Sequence, residues 1–266
     1  MYNLHLETSY FPAQTDAEIR DISVGGLLHE IASSHPDSIA MVDVADDGEC
    51  GQSWTYLDLA YQAESLAQAL ASRFEPRERI VVWAPNIPEW MFMEYAAGLA
   101  GLVLVTANPS FQAGELKYVL EQSGAAGLFM IDEFRGNPMG DIAKEATKGN
   151  KRLREVVNLY NKDALFKIGD RPTSLLNVQP DGPAQIQYTS GTTGFPKGAI
   201  LSHKNLVNNA RLFCTRKQVG SHSVWANFMP LFHTAGCATG ALGCLQAACK
   251  MLLIKRFDAD VFATRL

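Results

Sequence analysis

Apolar runs of strand length alternate with helix-length segments along most of this sequence. Residues 55–74 read TYLDLAYQAESLAQALASRF, with apolar side chains at helical spacing and a capping-box pattern formed by Thr55 and Asp58. Another helix is predicted to follow the N-cap Ser202. Further helices are predicted at about 88–98, 114–122 and 235–248. Strands are predicted at 79–84, 102–106, 127–132, 155–160, 184–189, 223–228 and 251–255.

The predicted strands are apolar throughout and are separated by helices. This pattern is typical of parallel strands buried on both faces, so we predict an α/β fold with doubly wound, mostly parallel sheets flanked by helices. Residues 161–183 are polar and rich in Pro, Asp and Asn, which makes them a candidate joint between subdomains. We therefore divide the chain into a first α/β subdomain at 1–180 and a second at 181–266. Ligands of such folds bind at the carboxyl ends of the strands.

Composition agrees with a folded protein. Of the 266 residues 47% are hydrophobic and the formal net charge is −5, which excludes wholesale disorder and disfavours nucleic acid as a partner. The five cysteines form no CxxC pair and, with the histidines, no zinc pattern, so we expect buried thiols in a reducing cytoplasm and no protein-bound metal.

We expect neither a signal peptide nor a membrane span from this sequence. The first residues, MYNLHLETSYFP, have no basic or apolar region of a signal peptide. The apolar stretch 90–107 contains Glu94 and is too short to be a membrane span. We expect a cytoplasmic protein without a transmembrane segment. Association with a membrane surface and assembly into a homodimer stay open.

The densest chemical signal starts at the end of the predicted strand 184–189. Residues 188–198 read YTSGTTGFPKG and contain three glycines, four aliphatic hydroxyls and Lys197. Glycines let backbone N–H groups converge on an anion, hydroxyls donate further hydrogen bonds, and lysine adds positive charge. The segment is not a Walker A loop, because Gly198 follows Lys197 where that loop needs Ser or Thr. Since it joins a buried strand to a capped helix, phosphate binding fits it better than a flexible linker does.

The segment YTSGTTGFPKG resembles the phosphate-loop motif of the adenylate-forming superfamily, which includes acyl-CoA synthetases and the adenylation domains of peptide synthetases. Four further segments resemble the same superfamily: TYLDLAYQAESLAQAL, PNIPEW, NPSFQAGELKYVLEQSG and LSHKNLVNN. The resemblance covers most of the chain from about Trp54 onward. It implies the N-terminal part of the large domain of an acyl-CoA synthetase-like fold, without the C-terminal lid domain.

A second motif, MPLFHTAG, spans 229–236. A histidine after a buried strand is more often part of the core, but Pro-Leu-Phe-His at this distance from the phosphate loop resembles the acyl-side motif of the acyl-CoA synthetase branch. The resemblance places His233 beside the substrate carboxylate and makes Thr234, Ala235 and Gly236 substrate-binding residues. The small residues that follow could form the floor of an acyl channel or let a helix pack closely on the sheet.

The resemblance implies ATP-dependent activation of a carboxylic acid, expected to be fatty or otherwise hydrophobic, through an acyl-adenylate to an acyl-CoA thioester. ATP, Mg²⁺ and CoA are the implied cofactors and co-substrates. Lys197 and His233 are the expected catalytic residues. The ATP phosphates are expected at Thr189, Ser190, Gly191, Thr192, Thr193, Gly194 and Lys197. Two alternatives stay open: transfer of the acyl group to a carrier protein or other acceptor, and a non-catalytic nucleotide-binding module.

The last residues suggest an incomplete second subdomain. Asp258 is a predicted N-cap, yet only about two helical turns follow it before Leu266. The resemblance also implies a Tyr-Gly-x-Thr-Glu element, a ribose-binding aspartate and a C-terminal lysine, and the sequence contains no match to them. We therefore expect an N-terminal fragment that is inactive on its own.

Overall fold

The computed structural model describes residues 18–171, 175, 177–189 and 196–260. Within these residues the strands form two sheets, and helices pack against both. The strands are Ile39–Val44 (β1), Cys50–Thr55 (β2), Arg79–Trp83 (β3), Val103–Ala107 (β4), Gly127–Met130 (β5), Glu155–Asn158 (β6), Pro183–Thr189 (β7), Lys197–Ser202 (β8), Val224–Asn227 (β9) and Lys250–Ile254 (β10). The helices are Val24–Ser34 (α1), Tyr56–Ala71 (α2), Pro88–Ala100 (α3), Ala113–Ser123 (α4), Met139–Ala146 (α5), Lys162–Leu165 (α6), His203–Lys217 (α7), a π-helix at Ala235–Leu242, and Gly243–Ala247 (α8).

The larger sheet has six strands in the order β6-β5-β3-β4-β7-β8. Its pairs are parallel except β7–β8, which is antiparallel. After Arg79 the central strand β3 is an unbroken apolar run, and its residues Ile80, Val81, Val82 and Trp83 are fully buried. A strand that helices cover on both faces requires such a run, because neither face meets water.

The smaller sheet has four strands in the order β2-β1-β10-β9. Strand β10 runs parallel to both of its neighbours, so that Met251 lies beside Met41 of β1 and beside Trp225 of β9. Strand β2 pairs antiparallel with β1. Each sheet therefore joins strands from before and after residue 180. The division of the chain into 1–180 and 181–266 stays a prediction.

Helix α2 begins where the sequence predicts. The Thr55 side chain accepts a hydrogen bond from the backbone N–H of Asp58, and the Asp58 carboxylate accepts one from the N–H of Thr55, which completes the capping box. The next residue, Tyr56, is buried, and its hydroxyl lies 3.0 Å and 2.7 Å from the carbonyl oxygens of Cys244 and Cys249. These contacts hold the start of α2 against the end of α8.

The predicted α/β architecture is confirmed, with mostly parallel sheets flanked by helices. The predicted helix 235–248 is instead a π-helix followed by α8. Six elements were not predicted: α1, β1, β2, α5, α6 and β8. The helix expected after Asp258 extends into 261–266, which lie outside the described residues.

Two further expectations concern the cysteines and the membrane. Cys214, Cys237, Cys244 and Cys249 are buried free thiols, as predicted, whereas Cys50 is exposed. In the part of the chain that the structure describes, no helix combines the length and apolarity that crossing a membrane requires.

Candidate functional site

A cleft of about 650 Å³ opens at the carboxyl ends of β4 and β7, between the larger sheet and the segment that follows β9. Its lining includes Thr106, Gln187, Thr189, Phe232, His233 and Thr234. Three predicted site residues, Thr189, His233 and Thr234, therefore meet at one cleft, although they come from two motifs. Its position agrees with the rule that open α/β sheets bind ligands at the carboxyl ends of their strands.

The base of the predicted phosphate loop forms one side of the cleft. Thr189 ends β7 and pairs with Lys197, the first residue of the antiparallel strand β8. The carbonyl oxygen of Pro196 accepts a 2.9 Å hydrogen bond from the Tyr118 hydroxyl of α4. The loop is thus held at both of its ends, and the Lys197 side chain is exposed. Ser190, Gly191, Thr192, Thr193 and Gly194 lie outside the described residues.

The segment after β9 holds His233 on the other side of the cleft. The N–H of His233 donates to the carbonyl of Pro230 at 3.0 Å, which closes a tight turn. The imidazole Nδ1 accepts a 3.1 Å hydrogen bond from the backbone N–H of Ala235. This bond assigns the proton of the neutral ring to Nε2. The exposed imidazole therefore offers a hydrogen-bond donor to an anion in the cleft.

Gly236 supports this turn through close packing. It is buried, and a Cβ at this position would lie 2.2 Å from the carbonyl oxygen of Pro230. The N–H groups of Gly236 and Cys237 both donate to the carbonyl of His233, at 2.9 Å and 3.1 Å. Ala235 and Gly236 thus begin the π-helix directly behind His233. Their role as substrate-binding residues stays a prediction.

A chain of buried polar side chains leads from the cleft into the core. The Thr106 hydroxyl donates to Oε1 of Gln187 at 3.2 Å, and Nε2 of Gln187 donates to Oε1 of Gln185 at 3.0 Å. Nε2 of Gln185 then donates to Oε1 of Glu94 at 2.7 Å. Each of the two glutamines accepts with its oxygen on the side of Thr106 and donates with its NH2 group toward Glu94, and this fixes the orientation of its amide. The Thr106 hydroxyl hydrogen is committed to Gln187, so the hydroxyl oxygen can act only as an acceptor toward any further partner.

Sequence reasoning missed this row of hydrogen-bonded side chains. Gln185 and Gln187 alternate with apolar residues in β7, a pattern that would place them on a solvated face, yet both are buried. Glu94 lies in the middle of the apolar helix α3 and is only 3% exposed. The Glu94 carboxyl group, in the apolar middle of α3, was the one signal in the sequence that could have revealed a buried polar network.

Burial raises the pKa of Glu94 to about 8, and the hydrogen bond from Gln185 lowers it by a smaller amount. Glu94 is therefore mostly uncharged at pH 7. Its Oε2 has no hydrogen-bond partner among the described residues. An uncharged carboxyl group tolerates this environment far better than a carboxylate would.

Comparison with known proteins defines the class. A model of the AMP-binding enzyme family matches residues 28–266, and the chain belongs to this family. The predicted place in the adenylate-forming superfamily, on the side of the acyl-CoA synthetases, is thereby confirmed.

Two curated relatives illustrate the similarity. The Bacillus subtilis (strain 168) protein named "Putative acyl-CoA synthetase YngI" is 31% identical over 270 residues, which cover 91% of this chain and 48% of that protein. "Medium-chain acyl-CoA ligase ACSF2, mitochondrial" of Mus musculus is 28% identical over 277 residues, covering 92% and 44%. The chain thus spans about half the length of the curated relatives it matches.

Solved structures agree on the fold. The apo structure of Mycobacterium smegmatis MbtA matches with a TM-score of 0.77 at 25% identity, covering 88% of this chain and 44% of that one. The inhibitor-bound N-terminal domain of Mycobacterium tuberculosis FACL13 matches with a TM-score of 0.76 at 23% identity, covering 90% and 58%. These matches confirm the predicted type of large-domain fold.

We predict that Gly236→Ala lowers the free energy of unfolding by about 1–3 kcal/mol, because the added methyl group would overlap the Pro230 carbonyl. Gly114→Ala is the matched control, since a Cβ in this first turn of α4 meets nothing within 4 Å. That control should leave stability unchanged or raise it by up to about 1 kcal/mol. Urea unfolding measures both variants, and equal effects would contradict the close packing at Gly236.

We predict that Glu94→Gln stabilises the protein increasingly as pH rises from about 4.5 to 8. The folded pKa of Glu94 lies above its ordinary value, so between these two values the folded state binds a proton that the unfolded state has released. Stability contributed by the protonated group is therefore complete below that window and is lost as pH rises through it. Glutamine does not titrate, and it keeps the acceptor for Gln185.

Urea unfolding at several pH values between 5 and 9 provides the measurement. Glu121→Gln, at an exposed position of α4, is the control and should match the wild type throughout. A stability difference between Glu94→Gln and the wild type that stays constant with pH would rule out the burial-raised pKa of Glu94.

Proposed function

We propose that this chain supplies the acid- and phosphate-binding side of an AMP-forming acyl-CoA synthetase. One observation carries the proposal: Thr189, from the base of the phosphate loop, and His233, from the acyl-side motif, line the same cleft. Such an arrangement suits a reaction in which a carboxylate and a triphosphate must approach each other.

In the proposed reaction a carboxylate oxygen attacks the α-phosphorus of ATP, and the bond from that phosphorus to the bridging oxygen breaks to release pyrophosphate. The sulfur of CoA then attacks the acyl carbon of the acyl-adenylate, the thiol proton is lost, and AMP leaves. Two anions meet in the first step. Preorganised hydrogen-bond donors and positive charge are therefore needed around them.

The proposal gives each motif one task. Hydroxyls and backbone N–H groups of residues 189–194, together with the ammonium group of Lys197, hold the β- and γ-phosphates. His233 donates a hydrogen bond from Nε2 to the substrate carboxylate and orients it. Nε2 is the nitrogen available for this task because the amide of Ala235 already occupies Nδ1.

Mg²⁺ would enter the proposed site bound to ATP. No group of three or more His, Cys, Asp or Glu side chains in the described part of the chain could hold a metal ion. Mg²⁺ keeps several waters and binds readily through phosphate oxygens, so the nucleotide itself would bring it. When bound, it would neutralise part of the phosphate charge.

The acid is proposed to be fatty or otherwise hydrophobic. Phe232 lines the cleft, and the π-helix behind His233 has the small and apolar sequence AGCATGAL. The names of the relatives, an acyl-CoA synthetase and a medium-chain acyl-CoA ligase, support the same class.

An acid panel tests the proposed activity. Because the chain spans about half the length of its curated relatives, the assay uses the full-length protein with ATP, Mg²⁺ and CoA. Aliphatic acids should give pyrophosphate and an acyl-CoA product detectable by mass spectrometry. Pyrophosphate release with amino acids alone would overturn the proposal. Transfer of the acyl group only to a phosphopantetheine carrier protein would instead support the carrier-dependent alternative.

We predict that His233→Ala lowers kcat/KM for the acid by about 10- to 10²-fold, the expected effect of losing one hydrogen bond to a charged group. KM for ATP should change little, because the phosphates are assigned to other residues. His29→Ala is the control, since His29 lies on α1 in an exposed pair with Glu64. Steady-state kinetics with each substrate varied in turn separates the effects. Equal losses for acid and ATP would contradict the role of His233.

A further inference from the structure

A buried asparagine joins the acyl-side motif to the ends of both sheets. Asn86 lies in the turn between β3 and α3 and is 5% exposed. Its Oδ1 accepts the backbone N–H of Leu231 at 2.8 Å. Its Nδ2 donates to the carbonyls of Met229 at 3.0 Å and of Ile254, the last residue of β10, at 3.1 Å.

These bonds fix both the position and the direction of the backbone just before the turn that carries His233. Met229 and Leu231 bracket Pro230, whose carbonyl accepts the hydrogen bond from the backbone N–H of His233. A carboxamide offers one acceptor and two donors in fixed geometry, and all three are used on backbone groups here. Removing the side chain would leave three backbone groups without this hydrogen-bond partner. Two of them, the N–H of Leu231 and the carbonyl of Ile254, are buried and out of easy reach of water.

We propose that Asn86 is a positioning residue for His233. It holds residues 229–231 against the carboxyl ends of β3 and β10, so that the imidazole is preset relative to the base of the phosphate loop. This inference rests on the proposed function, because the benefit of the position is the approach of the acid to ATP. A misplacement of about 1 Å at a reacting centre can cost about 10²-fold in rate.

The same chain contains a matched control. Asn208 of α7 is 6% exposed, and its Oδ1 accepts the N–H of Arg20 at 2.8 Å. Its Nδ2 donates to the carbonyls of Arg20 and Lys204, at 2.8 Å and 2.9 Å. Asn208 therefore makes the same set of three backbone bonds at nearly the same burial. It anchors the segment before α1 and does not line the cleft.

The first test compares Asn86→Ala and Asn208→Ala in the full-length protein, alone and combined with His233→Ala. We expect Asn86→Ala to lower kcat/KM for the acid by about tenfold or more, but by no more than His233→Ala does, and to change KM for ATP by less than about twofold. Asn208→Ala should change both by less than about twofold. In the His233→Ala background, Asn86→Ala should have little further effect, because two residues that act as a unit are not additive.

The second test measures amide hydrogen exchange of Leu231 and does not depend on activity. The Leu231 N–H should exchange slowly in the wild type and about tenfold or more faster in Asn86→Ala, but not in Asn208→Ala. If Asn86→Ala does not fold, slow exchange of Leu231 in the wild type still tests the anchor. Rapid wild-type exchange would overturn it.

The outcomes separate the two proposals. A full-length protein with no acid-dependent activity would overturn the proposed function. Equal kinetic losses for Asn86→Ala and Asn208→Ala, or full additivity with His233→Ala, would overturn the positioning role while leaving the activity in place.

Discussion

Parallel pairing between strands that are distant in sequence is the constraint on which the cleft depends. Strand β4 lies beside β7, and β10 lies between β1 and β9, so the carboxyl ends of strands from both halves of the chain are brought together. In a parallel sheet all strands end at the same edge, and the loops that follow them must share that edge. This rule places Thr189 at the edge of the larger sheet where β4 also ends, and the segment carrying His233, which follows β9 of the smaller sheet, lines the same cleft.

Around that edge the core is not uniformly apolar. Glu94, Gln185 and Gln187 form a directed chain of hydrogen bonds, and Asn86 bonds three backbone groups with a single carboxamide. Buried polar groups are costly unless they are satisfied, so each one restricts its surroundings to the arrangement that satisfies it. The apolar β3 lies at the centre of the core, whereas Gln187 lines the cleft and Asn86 bonds the segment just before His233.

The sequence predicted those features whose cause is local. The apolar run of β3 and the capping box of Thr55 and Asp58 depend on neighbouring residues, and both were predicted. Strand β8 was missed because it is an edge strand whose Ile200 is 67% exposed, so it lacks the pattern of a buried strand. The π-helix was missed because the small residues of AGCATGAL carry no period that distinguishes it from an α-helix.

The residues of the candidate site also divide into those that a local sequence pattern indicates and those that it does not. The rule on strand ends and the family resemblance pointed to Thr189, Lys197 and His233; Thr189 and His233 line the cleft, and Lys197 pairs with Thr189 across β7 and β8. Asn86 lies in the PNIPEW segment, but its role and that of Gln185 could not be found from the sequence, because their partners are backbone atoms or side chains far along the chain. Such contacts depend on the tertiary fold rather than on a local pattern.

The place of β10 also determines the order in which the protein can be assembled during synthesis. Strands β3, β4 and β5 follow one another closely and can pair soon after they leave the ribosome. The β1–β2 pair emerges earlier but must wait for β10, and an isolated two-stranded pair is only marginally stable in water. The edge of β1 that pairs with β10 therefore stays unpaired until residues 250–254 have been synthesised, and the smaller sheet closes after the strands of the larger sheet have been made.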